Sequence, residues 1–340
     1  MLGTVAAWWA LWDFQRGSAL IPNPAPRLIW IAPALDKPFL FWVLPIGGIA
    51  VAQMVCYSLD KTFLGQRWTV SDILRLACWR TISPTVGLLF VATGFEAIYN
   101  RSLVGILWLV AAAILAIVGT SRSRSAEGIK LQLVKGGELY KRAFVLAKHM
   151  RVPLKRVYVV PAGRGHLTNA YGLSQSIAVT DNYGKFLSGP ELDFVIGHEL
   201  GHVKAQHGRK KLLIVGTVFA GIALACFFLP PILIPFRPLL DIPVMLSPVL
   251  TFYFFSRRFE YASDEAGLAL THDPENAIRA LANLYRITQA PVHFDRLTEL
   301  FMTHPPLTRR VRAIAESGAM PAERLSEVID EMEVRGVVWE

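Results

Sequence analysis

Long stretches without a charged side chain limit this chain most. Residues 38–59, 102–121 and 212–236 contain no Asp, Glu, Lys or Arg, and about 20 apolar residues suffice for a helix to cross a hydrocarbon layer of about 30 Å. Two shorter runs, 81–95 and 242–256, are marginal spans; the second is broken by Pro243 and Pro248. Each of the two reads as a full crossing or as a re-entrant or interfacial helix. With 53% hydrophobic against 18% charged residues and a mean hydropathy of +0.39, a disordered chain and an ordinary water-soluble globule are excluded.

Charge then suggests partner and orientation. The net charge of +9 comes without a zinc-finger or RNA-binding signature, and its Lys and Arg residues cluster beside the apolar runs. Anionic lipid headgroups are therefore the expected partner, and no nucleic acid. Lys61, Arg67, Arg75 and Arg80 lie in one loop, Arg122, Arg124 and Lys130 follow the run 102–121, and Arg209–Lys211 and Arg257–Arg258 bracket 212–256. Basic residues are retained on the cytosolic side, so these segments are expected there. Cys56, Cys78 and Cys226 are scattered and support neither a disulfide framework nor a thiolate metal site. The N-terminal apolar patch lacks a preceding basic residue and a following small-residue cleavage site, so a removed leader is not expected.

Residues 123–211 read as a water-facing module. Helical periodicity covers 137–150, strands are expected at 156–161 and 176–180, and Gly189-Pro190 breaks the chain before a helix with Glu191 and Asp193 in its first turn. After the second apolar hairpin, Asp273 followed by Pro274 signals a helix running to about Thr288.

Inside the helix that follows Gly189-Pro190 lies Gly197-His198-Glu199-Leu200-Gly201-His202. Residues four apart sit about 40° apart around an α-helix, so His198 and His202 reach one metal ion. Glu199, about 100° from His198, falls beside the ion as a general base for water rather than as a ligand. A catalytic zinc takes three protein ligands. Glu260 is the natural third, with Asp264 one helical turn on to hydrogen-bond the far nitrogen of a ligating histidine; the plain alternative is a solvated helix face. An even number of crossings between His202 and Glu260 is required, and the basic-flanked hairpin 212–256 supplies it.

With these residues and Thr303-His304-Pro305-Pro306 followed by Arg310, the chain resembles the integral-membrane gluzincin metallopeptidases, the family of the type-1 CAAX prenyl proteases and the HtpX heat-shock proteases. The resemblance covers about residues 136–312. It implies that His304 donates a hydrogen bond to a developing oxyanion. It also implies that Arg310 either anchors the His304 loop or is a basic surface residue, and that Asn169 and Ala170 begin an edge-strand region, through 180, which takes an extended substrate. His207 reads as interfacial, pointing elsewhere on the helix. CAAX proteases are longer, and HtpX-like members have fewer residues before the catalytic part, so a prenylated substrate is not implied. Glu96, at the edge of a run, reads as snorkelling near Arg101.

The expectation is a mainly α membrane protein, transmembrane helices plus a cytosolic α+β zincin-type metalloprotease module with a small edge-stranded sheet. Residues 1–121 form a membrane region of two to three helices, 122–211 the catalytic module, 212–256 a transmembrane or re-entrant hairpin, and 257–340 a helical part completing the site. The expected activity is zinc-dependent endopeptidase cleavage of membrane or membrane-proximal proteins, using one Zn2+, in quality control or processing, at the cell inner membrane with the module facing the cytosol. A catalytically silent membrane chaperone or scaffold of the same fold is the alternative. A transporter would need paired charges within the spans, which are nearly absent.

Overall fold

The computed structural model describes residues 69–79, 83–99, 102–126, 131–161, 169–230, 232, 237–288 and 290–334. The run 38–59, the Glu96 side chain and Arg101 lie outside what is described. The described residues are mostly helical with one small mixed sheet, and the chain divides into two compact units, residues 1–97 with 103–128 and residues 98–102 with 129–340.

The first unit holds α1 (Val70–Ala77), α2 (Ser83–Tyr99) and α3 (Val104–Ala126). A capping box opens α1, in which Thr69 Oγ1 accepts from the Asp72 N–H and the Asp72 carboxylate accepts from the Thr69 N–H at 2.9 Å. Large apolar side chains of α3, among them Ile106, Leu107, Ile114 and Ile117, are exposed.

The second unit begins with β1 (Gln132–Val134) and α4 (Glu138–Met150), entered through Gly137 at φ 90°, a backbone conformation that suits glycine. Next come β2 (Arg156–Val160), β3 (Ala170–Leu173) and β4 (Ser176–Thr180), with strand order β1-β2-β4-β3. The β2–β4 pair is parallel and the other two antiparallel. The short α5 (Tyr183–Phe186) leads into α6 (Gly189–Lys204), then α7 (His207–Phe227), α8 (Arg237–Thr271), α9 (Pro274–Thr288), α10 (Arg296–Leu300), α11 (Leu307–Ser317) and α12 (Ala322–Val334).

Helix α6 is the centre of this unit. Gly189-Pro190 opens the helix rather than preceding it: Ser188 is the N-cap in a capping box with Glu191, and proline in the first turn forfeits no hydrogen bond. Ile196 and Leu200 pack with Ala143, Ala147, Val157 and Ile177, while Phe194 and Val195 join Ile278, Leu281, Leu307 and Ile314. Each fully buried side chain of this size contributes about 1.5–3 kcal/mol. Buried on all these sides, α6 can carry polar groups inward only where they find partners.

One expectation changes. Pro243 and Pro248 do not break the second apolar run; they lie inside the continuous 35-residue α8. A proline removes one intrahelical bond and bends a helix without ending it when the surroundings hold the rest. Among the described helices, α7 alone is long and apolar enough to cross a membrane, and the apolar part of α3, Val104–Gly119, is shorter. In α7 only 6% of the most apolar window is buried.

Candidate metal centre

The crossing of α6 and α8 builds the site. A Cβ on Gly267 would lie 3.1 Å from His198 N and 3.2 Å from Phe194 O, and one on Gly201 would lie 3.0 Å from Ala266 Cβ and 3.2 Å from Ser263 Cα. Small residues at 197, 201, 263 and 267 thus let the two backbones approach until their polar side chains meet.

At that crossing His198 Nε2 and His202 Nε2 are 3.1 Å apart. Glu260 reaches both, with Oε2 3.5 Å from His198 Nε2 and Oε1 3.4 Å from His202 Nε2. One ligand atom from each of the three lies within 4.8 Å of the others. Asp264 Oδ1 is 2.9 Å from His198 Nδ1, which leaves His198 Nε2 for the shared point. Arg310 is buried and grips Asp264 with two bonds, Nε to Oδ2 at 2.8 Å and Nη2 to Oδ1 at 2.6 Å. Of the two readings left open for Arg310, its burial excludes a surface residue.

Glu199 is also buried. Burial pushes its carboxyl up from the ordinary value, opposed by His198 and His202, and the Gly172 N–H donates to it. Burial would likewise raise Glu260, but His198 and His202 hold it well below the usual carboxylate range. Burial disfavours charge on His198, yet Asp264 and Glu260 prevail and push it up to about 10. Two imidazole nitrogens and one carboxylate, buried and already oriented, fit a zinc ion.

His304 comes from the segment between α10 and α11. Its Nε2 lies 3.4 Å from Glu260 Oε2, its side chain is 57% exposed, and its Nδ1 is 2.9 Å from Thr303 Oγ1. Tyr285 Oη donates to Pro305 O at 2.9 Å, and Arg257 Nη1 donates to Glu299 O and Met302 O at 2.7 and 3.0 Å, tying this segment to α9 and α8.

The strand region from Asn169 to Thr180 is a hairpin, in which β4 is interior and β3 the edge. Thr180 N–H donates to Asn169 O at 3.0 Å. Antiparallel pairs alternate, so the backbone groups of Ala170 and Gly172 face away from β4. Ala170 N–H is already taken by Asn169 Oδ1 at 2.9 Å, and Asn169 N–H by Thr180 Oγ1 at 3.1 Å. A Cβ on Gly172 would stand 2.8 Å from Glu199 O, so β3 passes against α6 where only glycine fits.

The reading of His207 is corrected. It does not point away from the site: it is buried, with Nδ1 2.9 Å from His202 Nδ1. Gln206 at φ 52° ends one helix and starts the next, so His207 is not where a continuous helix would put it. No signal in a non-glycine Gln206 announces that reversal. The close approach at glycines 197, 201 and 267 has one readable sign in the sequence, the spacing of four from 197 to 201.

A helix with two histidines four apart, a carboxylate between them and a third ligand, a carboxylate from another helix, defines a zincin-type metallopeptidase site. Residues 134–317 match peptidase family M48, and the chain belongs to that family. It is a metalloprotease, a hydrolase of peptide bonds. It is 27% identical over 213 residues to a "Protease HtpX homolog" of Thermodesulfovibrio yellowstonii, covering 51% of this chain and 73% of the relative. With the HtpX homolog of Streptococcus thermophilus it shares 23% over 270 residues, 68% of this chain and 90% of the relative. The crystal structure of S. mikatae Ste24p has the same fold, with a TM-score of 0.55 at 18% identity over 90% of this chain and 80% of that one.

Proposed function

We propose that this chain is a membrane-embedded zinc-dependent endopeptidase acting on membrane or membrane-proximal proteins, in quality control or processing. The observation that carries the reading is the convergence of His198 Nε2, His202 Nε2 and Glu260 beside the buried Glu199 carboxyl. His198, His202 and Glu260 would hold one zinc ion. Bound there, zinc supplies Lewis acidity, which makes water nucleophilic and a peptide carbonyl electrophilic near neutral pH. Glu199 takes the proton of the attacking water and passes it to the departing amine; its raised pKa suits both tasks. His304, with its side chain open to the site, donates to the carbonyl oxygen as negative charge builds there. Asp264 and Arg310 hold His198 in one tautomer and orientation. At the edge strand β3, beginning at Asn169 and Ala170, the outward carbonyls of Ala170 and Gly172 accept from the N–H groups of an extended substrate, since the N–H groups of Asn169, Ala170 and Gly172 are already engaged.

In the proposed organisation residues 1–121 are a membrane region, 122–211 the catalytic module, 212–256 a membrane hairpin and 257–340 the part that completes the site. The exposed apolar faces of α3 and α7 support lipid contact, and the basic residues beside the runs support a cytosolic module at the inner membrane. The test is Glu199→Gln in the full chain, beside chelated wild type. The variant is expected to retain one zinc per chain and to lose peptide cleavage by at least about 100-fold. Cleavage at the wild-type rate would overturn the assignment of the base; wild type that binds no zinc would overturn the metal assignment.

A further inference from the structure

The two histidines of the cluster are oriented by different chemistry. His198 Nδ1 faces a carboxylate, whereas His202 Nδ1 faces the ring of His207 at 2.9 Å, Nδ1 to Nδ1. His207 is itself held firmly. Its ring stacks on Phe259 with centroids 4.3 Å apart and planes 5° apart, and its Nδ1 lies 3.3 Å from the buried Ser263 Oγ.

Elimination sets the direction of the bond. His202 Nε2 is the atom that faces His198 Nε2 and Glu260, so when it ligates as a neutral imidazole its proton is on Nδ1. His207 Nδ1 must then be a bare acceptor, with the His207 proton on Nε2. The backbone is shaped for this contact. On an uninterrupted helix a residue five positions on would stand about 140° around the axis from His202. Gln206 instead adopts φ 52°, unfavourable for a residue with a Cβ, and the reversal turns His207 back onto His202.

We infer that His207 is the positioning residue of His202, fixing its ring plane and tautomer by accepting a hydrogen bond from Nδ1–H, so that Nε2 is presented to the metal. The inference rests on the zinc reading above. A neutral ring in this place orients His202 without adding another negative charge to a pocket that already buries Glu199, Glu260 and Asp264.

The experiment measures zinc affinity of the purified full chain by competition with a chromogenic chelator. His207→Phe keeps the stack on Phe259 and removes the acceptor, while His207→Asn restores an acceptor oxygen near the place of Nδ1. The phenylalanine variant is expected to bind zinc about 10- to 100-fold more weakly, as loss of such partners does, and the asparagine variant to regain most of that. Cobalt loaded in place of zinc should show a changed visible spectrum in the phenylalanine variant only. Wild-type affinity in His207→Phe, or equal loss in both variants, overturns the inference. Should His207→Phe fail to fold, nitrogen NMR of zinc-loaded wild type labelled at histidine decides: a proton on His207 Nδ1 overturns it. Wild type that takes up no zinc would instead overturn the metal reading itself, so the two failures are distinguishable.

Discussion

The flank of the cluster at His198 and the flank at His202 face the same point with opposite electrostatics. Behind His198 stand Asp264 and Arg310, two buried charges joined by two hydrogen bonds. Behind His202 stand His207 and Ser263, joined through ring nitrogens and a hydroxyl. An ionic clamp tolerates no missing member, because the remaining charge is stranded in a low-dielectric interior. A neutral relay loses only the difference between one hydrogen bond and another. The first flank therefore governs folding as well as metal binding, and the second mainly metal binding.

Replacing Arg310 by Met gives the largest expected effect. It strands the Asp264 carboxylate and should cost about 3–5 kcal/mol of stability by denaturant unfolding; adding Asp264→Asn should recover a large part. The same variant moves the acid limit. Burial would raise Asp264, but Arg310 and His198 hold it below its ordinary value, so its contribution is full above the unfolded pKa of about 3.9 and is lost as pH falls through the lower folded value. In Arg310→Met burial pushes the stranded carboxyl above its unfolded value, so the variant should regain stability relative to wild type as pH falls through that raised value, read as melting temperature against pH between about 3 and 7; a gap from wild type that is the same at every pH would make the clamp irrelevant.

Next in size, Gly267→Ala tests what both flanks share. The added methyl would stand 3.1 Å from His198 N, a backbone atom with little room to yield. The expected loss is about 1–3 kcal/mol, as for other overpacked cores, with weaker zinc binding because Glu260 moves away from both rings. Smallest is Ser263→Ala, on the neutral flank, at about 0.5 kcal/mol, because the hydroxyl at 3.3 Å only shares the His207 Nδ1 lone pair that His202 occupies at 2.9 Å; a loss as large as that of Arg310→Met would erase the contrast between the flanks.

Much of this arrangement was legible in the sequence wherever local period decided it. The meeting of His198 with His202, and of Glu260 with Asp264, follows from spacings of four on two helices. The strands at 156 and 176 were legible from their apolar, β-branched residues, and the helix after Asp273 from its cap. What was not legible depended on distant packing. The strand β1 is only three residues long and reads as nothing alone. Its partner β2 supplies the pairing. Arg310 is one of three arginines between 309 and 312, and only the fold tells which one is buried. Pro243 and Pro248 signal a break by local propensity, yet the helix continues through both, because a proline removes only one hydrogen bond and the rest of the helix persists. The reversal at Gln206 has no composition to mark it, and helical periodicity alone places His207 on the side away from His202.

Helix α8 is one rod from Arg237 to Thr271, about 50 Å at 1.5 Å per residue. Glu260 and Asp264 ride on this single helix, which carries two prolines in its front half and meets α6 at Ser263, Ala266 and Gly267. Any shift of that helix therefore carries ligand and orienting carboxylate together, so the reach of Glu260 toward two imidazoles and of Asp264 toward one of them changes as one motion.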